Sequence, residues 1–557
     1  MMLASLIIVP LAFALFIAVG PERSAARVSL VGMLATLGLS ILAAFAFDWG
    51  FGGQFQFGMS VDWLPGLGLT LSLGVDSVAL MLVLLTAVLG PVCVLASWTA
   101  ITERVKTYYA WMMVLQAAMI GVFAARDLVF FYICFEFTLI PMFLLIALYG
   151  STNRMRAATK FFLFTFTGSV VALAGLLYVA WHHAQTRGVW TFEIDALELA
   201  ARTLPPHVQA LILGALLLGF AVKVPLFPLH TWLPLAHTEA PTAGSVILAG
   251  VLLKLGTYAI YRFVLPFAPE AVIEYAYPLA VLCTIGIIYG GLVCWVQTDV
   301  KKLVAYSSVA HLGFCMLGMF ALNHAGVTGS VLYMLNHGLS TGALFLLIGM
   351  MYERYHTRSM KEIGGLGARM PVWSTFLVFF VMASVGLPGL NGFVGEFLCL
   401  MGAFQASDAW GAGLWGTTPG DSTVGGTRGS LGPWVAAVAG TGMIIAAIYL
   451  LYMVGKVVFG TLREPPGHAS HADHHAGDAH RAAGLPVDLT RREIGALAPI
   501  AALCVFLGVY PKPVLDAVQA PVERTVTTIA EARGKPKFRP PVELAPPAEH
   551  AAEGAHP

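Results

Sequence analysis

Runs of about twenty apolar residues recur along this chain about fourteen times between Met2 and Tyr510, joined mostly by short polar links. Crossing a bilayer takes a helix of about 20 predominantly apolar residues, and in lipid a helix satisfies its own backbone polar groups. The pattern predicts an all-α polytopic membrane protein with about fourteen transmembrane helices. Composition agrees: 11% of the 557 residues are charged, against roughly 25% in a soluble domain. The net charge is +1, and no basic cluster offers a surface for nucleic acid. All seven cysteines, at 93, 134, 283, 294, 315, 399 and 504, lie inside apolar runs without CxxC pairing. They read as small buried hydrophobes, neither disulfides nor metal ligands.

The predicted spans fall at about 2–20, 28–47, 76–98, 108–124, 128–149, 158–182, 208–235, 243–265, 275–296, 303–322, 328–351, 372–404, 434–459 and 494–510. The first lacks the basic start and small-residue cleavage site of a signal peptide, so it is expected to be retained. A Gly-rich, aromatic loop follows span 2, and a Pro-rich tail occupies 511–557. His468, His471, His474, His475 and His480 crowd the loop before span 14; with no fixed ligand spacing they read as a flexible polar linker. Loops after odd-numbered spans carry Arg23, Arg27, Arg104, Lys106, Arg154, Arg156, Lys160, Lys301, Lys302, Arg354, Arg358, Lys361 and Arg369. Loops after even-numbered spans carry mainly Arg126, Arg187, Arg202 and Arg428. The positive-inside rule places the first set at the cytoplasm or matrix and both termini on the opposite, positive side. Asp299, Lys301 and Lys302 read as an ordinary solvated loop of that basic face.

Within this apolar background, residues 220–258 carry Lys223, His230, His237, Glu239 and Lys254, together with Pro225, Pro228, Pro234 and Pro241. Ionisable groups at bilayer depth are rare and mark ion pathways. Prolines so dense break a helix, and broken backbone at that depth survives only where protein or water lines it. Charge and a break together predict an ion path.

Spacing suggests a repeat. Glu136 in span 5 precedes Lys223 in broken span 7 by 87 residues, and His311 in span 10 precedes Glu396 in broken span 12 by 85. Two five-span units, spans 4–8 and 9–13, would each hold an odd number of helices, so the second copy would insert inverted. The chain then divides into 1–107 (spans 1–3), 108–265 and 266–460 (the two repeats), 461–510 (His-rich loop and span 14) and the tail 511–557. Glu136 has no charged neighbour for eight residues on either side, and Lys223 is similarly isolated. Buried apart, each would favour its neutral form; paired, each would hold the other charged. That makes the pair a candidate switch, against the plainer reading of a static interhelical ion pair. Lys254 is a candidate second proton station, against snorkelling to an interface. His230 and His237 flank the first break and titrate near neutrality; capping or core roles are equally open to them. His311 and His337 lie among small and hydroxyl residues and form a candidate central bridge. Glu396, after GLPGLNGFVGE, would end the row as an exit-side acceptor or simply cap the resumed helix. No phosphate-binding loop, nucleophile elbow or cysteine cluster is present, so no nucleotide, flavin or iron–sulfur site is expected in this chain.

The stretch KVPLFPLHTWLPLAHTEAPTAGSVILAGVLLKLGTY resembles the antiporter-like membrane subunits of NADH–quinone oxidoreductase (respiratory complex I). The resemblance covers spans 3 to 14, with YSSVAHLGF, NHGLSTGALFL and GLPGLNGFVGEF as further matches. APTAGSVILAG in place of APTPVSA, Glu396 where sister subunits carry lysine, and no long lateral helix after span 14 favour the M type over L and N. Leu235 stands where many relatives have an acidic residue, and it is assigned no role. The resemblance implies one proton channel of a redox-driven pump. Glu136 would modulate Lys223 in the inward half-channel, and protons would pass Lys254 and the histidines to Glu396. FMN and iron–sulfur clusters would sit in partner subunits. The expected partners are other membrane-arm subunits, especially the two sister antiporter-like ones, in a bacterial plasma membrane rather than a mitochondrial inner membrane. Three rivals remain at this stage: a subunit of a multi-subunit Na⁺/H⁺ antiporter, a cytochrome ligating haem through His230, His237, His311 or His337, and a scaffold without transport.

Overall fold

The computed structural model describes residues 1–407, 429–465 and 487–534. Arg428, the histidine-rich loop at 468–480 and the last part of the Pro-rich tail lie outside the described residues. The helices begin with α1 (Met2–Val19), α2 (Ala25–Ala46), α3 (Ser77–Ala96), α4 (Val105–Ala124), α5 (Leu128–Tyr149) and α6 (Arg154–Arg187). A short α7 (Ile194–Ala201) precedes α8 (Pro206–Lys223), α9 (Leu233–Glu239), α10 (Thr242–Phe267) and α11 (Pro269–Trp295). Next come α12 (Val300–Phe320), α13 (His324–Tyr355), α14 (Pro371–Val385) and α15 (Asn391–Gln405). The described chain ends with α16 (Pro433–Val457), α17 (Arg491–Val509) and α18 (Lys512–Gly534).

Among the described residues thirteen helices are long and apolar enough to cross a membrane, and α14 with α15 supplies the interrupted fourteenth crossing. Short polar caps start several of them. Asp127 accepts from Val129 N (2.8 Å) and Phe130 N (3.0 Å), and Asn323 accepts from Gly326 N (2.9 Å). Asp299, expected in a solvated loop, accepts from Lys301 N at 2.7 Å and so opens α12.

α10, α12 and α13 form the buried centre, whereas α1, α2, α16 and α17 are outer helices. Small residues let the central helices touch. A Cβ added at Gly338 of α13 would meet Gly250 O of α10 at 2.8 Å, and such close approach stands in for the hydrophobic drive that lipid removes. α10 contains two π-helical turns, Leu248–Leu252 and Ile260–Val264, on either side of Lys254. Single π turns inside helices recur at functional positions.

Both predicted breaks are present. α8 stops at Lys223 ahead of Pro225 and Pro228, and α9 resumes with Pro234 in its first turn, where a missing N–H does no harm. Trp232 Nε1 donates to Val222 O at 2.9 Å, satisfying a carbonyl freed by the break. α14 stops at Val385, and Gly386 turns the chain with φ of 82°, a left-handed conformation suited to glycine. Asn336 Nδ2 donates to Asn391 O (2.5 Å) and Asn391 Nδ2 returns a bond to Asn336 O (3.1 Å), clamping α15 to α13.

Three expectations need correction. The loop after span 2 is an antiparallel hairpin, β1 (Gln56–Leu64) and β2 (Leu69–Val75), turned at Gly68 with φ of 69°. The tail is structured through α18, which buries Val518, Val522 and Ile529 and packs on α13, α11 and α3. An amphipathic helix of 23 residues therefore follows span 14. Finally, two cations counted toward the basic face are interior. Lys301 is buried and donates to Ala240 O at 2.6 Å, and Arg354 grips Glu493 with two bonds of 2.9 Å.

Candidate functional site

Lys223 closes α8 and is buried. Its Nζ donates to Phe135 O at 2.9 Å, lies 3.4 Å from Thr138 Oγ1, and sits 3.4 Å from the centroid of the Phe135 ring. A carbonyl, a hydroxyl and a π face suit a cation without neutralising it. Glu136, the next residue, forms no ion pair with Lys223 within 4.0 Å, and neither of its carboxylate oxygens makes a hydrogen bond. Ser169, the hydroxyl beside it, donates instead to Phe166 O at 2.9 Å. The two predicted partners are thus neighbours held apart.

The centre is joined more tightly. Lys254 Nζ lies 2.6 Å from His337 Nδ1 and donates at 2.5 Å to Ala249 O in the preceding π turn of α10. The His337 and His311 rings meet edge to face, 6.0 Å between centroids. His311 Nδ1 lies 3.2 Å from Glu396 Oε1 and 2.7 Å from Tyr333 Oη, and Tyr333 donates to Glu396 Oε1 at 2.5 Å. On the far side of the ring, Tyr449 Oη lies 3.4 Å from His311 Nε2. Glu396 Oε2 has no partner. A cavity of about 10 Å³ touches His311, Asn336 and His337, on the scale of one water.

His230 and His237 are buried, and His230 Nδ1 and both ring nitrogens of His237 make no hydrogen bond. His230 stacks on Phe227 and meets Tyr289 edge-on; His237 lies flat on Phe345 at 4.4 Å. Two residues beyond His237, Glu239 accepts from Ser151 Oγ (2.7 Å) and Asn153 N (2.8 Å) on the wall of a cavity of about 400 Å³. Lys301, Glu353 and Arg358 line the same cavity, which gathers residues from the predicted basic face. Lys301 and Arg358 both reach the carbonyl end of α9: Arg358 donates to Thr238 O at 2.6 Å. Cations there complement the negative end of the half-helix dipole.

The structure therefore brings Lys254, His337, His311 and Glu396 into one buried row, sets Glu136 beside Lys223 without contact, and leaves His230 and His237 in aromatic surroundings. Residues 125–419 match the family described as NADH:quinone oxidoreductase/Mrp antiporter, TM. The chain belongs to this family. A curated relative, NADH-quinone oxidoreductase subunit M of Rhodobacter capsulatus, is 40% identical over 94% of this chain and 96% of its own length. A chain of respiratory complex I from Thermus thermophilus with bound NADH superposes with a TM-score of 0.78 at 28% identity, covering 95% of this chain and 100% of that one. A chain of the Mrp complex from Dietzia sp. reaches 0.73 at 20% identity, covering 95% and 99%, which is likeness of fold alone. The resemblance drawn from the sequence, down to its M type, agrees with these relatives.

In this family member the residues that sequence reasoning passed over are Tyr333, Tyr449, Asn336, Asn391 and the buried Lys301. One signal was available for Tyr333. It stands four residues before His337, so the two share a face of α13. An apolar helix with a tyrosine and a histidine on one face carries two proton-handling groups, not one.

Proposed function

We propose that this chain is a proton-translocating membrane-arm subunit of an NADH:quinone oxidoreductase. The observation that carries the reading is the buried row Lys254–His337–His311–Glu396, whose successive members lie within hydrogen-bond or ring contact at the centre of the membrane helices. Electrons move elsewhere, so FMN and iron–sulfur clusters belong to other subunits of the complex; within the membrane the partners are other membrane-arm subunits, especially the two sister antiporter-like ones. The cavity at Glu239 and Lys301 gives water from the basic face a route toward His237, whose two ring nitrogens lack protein partners. Lys223 takes its proton on that side, and approach of Glu136 holds it there. Protons then pass Lys254 and the central histidines to Glu396 and leave on the opposite face, where both termini lie, in a bacterial plasma membrane. The two broken crossings belong to the inverted five-helix units, spans 4–8 and 9–13.

Energy scales support this. Moving one charge against about 100 mV takes about 2.3 kcal/mol, and a hydrogen bond to a charged group contributes about 1.5–3 kcal/mol. Making or breaking one contact at Lys223 or Glu396 is enough to direct one proton. A relative named NADH-quinone oxidoreductase subunit M matches 94% of the chain at 40% identity, which favours this reading over a Na⁺/H⁺ antiporter subunit. The test is Lys254→Ala in the assembled complex. NADH-driven pumping should fall while NADH oxidation by an artificial acceptor continues; undiminished pumping would sink the proposal.

A further inference from the structure

His311 Nδ1, Tyr333 Oη and Glu396 Oε1 form a closed triangle with sides of 2.7, 2.5 and 3.2 Å. The two sides through the hydroxyl fall among short, charge-assisted hydrogen bonds, whereas 3.2 Å is the outer edge for N–H···O. The direct histidine–carboxylate contact is therefore the weakest of the three. We infer that Tyr333 is the relay group through which the proton passes from His311 to Glu396, a role that rests on the proton path proposed above.

Proton counting supports the assignment. A phenol has one hydrogen and two lone pairs, so Tyr333 can accept from His311 Nδ1 while donating to Glu396 Oε1. In the transfer step the Nδ1–H bond breaks as an O–H bond forms on Tyr333, and the original Tyr333 O–H bond breaks as one forms on Oε1. Tyr333 ends neutral, His311 has lost one proton and Glu396 has gained one. The new hydroxyl hydrogen points back at Nδ1; rotation about the C–O bond resets it once Glu396 has discharged. One hydrogen cannot serve both sides at once, so the relay has two states and a second forward transfer waits on that rotation. Tyr449 Oη stands 3.4 Å from Nε2, on the other side of the ring that presents Nδ1. Oε2 is buried without a hydrogen-bond partner and faces Gly386, where an added Cβ would lie 2.7 Å away, so the glycine of the second break leaves room beside that oxygen.

The experiment compares Tyr333→Phe, Glu396→Gln and Lys254→Ala in the intact complex in proteoliposomes. Tyr333→Phe keeps the ring and removes only the relay atom. Its proton-to-electron ratio should fall as far as that of Glu396→Gln, with NADH oxidation by an artificial acceptor retained. A full ratio in Tyr333→Phe beside a lowered one in the other two overturns the relay and leaves the path standing; a full ratio in all three overturns the path itself. A more acidic fluorinated tyrosine at 333 covers the case in which phenylalanine blocks assembly. It keeps shape and hydroxyl and should move the pH profile of pumping to lower pH; an unmoved profile counts against the relay.

Discussion

The two helix breaks solve the same backbone problem and treat their charges in opposite ways. At the first, Trp232 repairs one carbonyl, Lys223 rests on a carbonyl, a hydroxyl and a ring, and Glu136 has no hydrogen bond. At the second, paired asparagines clamp the backbone and Glu396 Oε1 takes contacts from Tyr333 and His311. An unpaired buried charge is expensive, so the first site is ready to change partner or protonation. The second is held by short bonds in fixed directions. The proposed proton path needs both: a labile end that loads and a rigid end that sets direction.

The largest effect should come from the rigid end. Glu396→Gln removes the anionic acceptor from Tyr333 and His311; losing about 1.5–3 kcal/mol of charge-assisted bonding slows transfer through this chain by about 10- to 150-fold. Proton uptake by proteoliposomes during NADH oxidation measures it. Next is Gly386→Ala, which forces a residue with φ of 82° to carry a Cβ 2.7 Å from Glu396 Oε2. Destabilisation of about 1–3 kcal/mol is expected in thermal unfolding. Gly460→Ala, at φ of 91° with nothing within 4 Å, reports the backbone strain alone. Equal shifts in the two variants would mean that Oε2 is not crowded at the second break. Glu136→Gln should be milder, a loss of up to about tenfold in pumping, because one charge acts on Lys223 across more than 4 Å without a bond to lose. If it matched Glu396→Gln, the labile and rigid ends would not differ.

Much of this was legible in the letters because hydrophobicity at bilayer length is a strong signal. The spans and both breaks follow from apolar runs interrupted by Pro225, Pro228 and Gly386. Pairwise geometry was not legible. Lys301 beside Asp299 looks like a surface loop until the fold turns its side chain onto Ala240 O. LTLSLGV does alternate with the period of a strand, but beside a Gly-rich segment it reads as loop. The spacing of Val518, Val522 and Ile529 marks an amphipathic face, which Pro521 and the polar residues around it hide. Glu136 and Lys223 were paired by spacing, yet spacing cannot say that Phe135 O captures the ammonium first.

Trp232→Phe tests the smallest term of the comparison. Phenylalanine keeps the ring against Phe161 but loses the bond to Val222 O. One neutral hydrogen bond is worth about 0.5–1.5 kcal/mol, so thermal stability should fall by about 1 kcal/mol. Asn336→Ala, which removes the bond to Asn391 O at the second break, should cost more because the partner carbonyl and the returning amide are both buried. Val222 precedes Lys223, so a loosened carbonyl there also lets the end of α8 unwind and the ammonium move. Faster amide exchange at 222–226 than at 386–391 would place the mobile hinge at the first break. The reverse order would move it to the second, and the labile end with it.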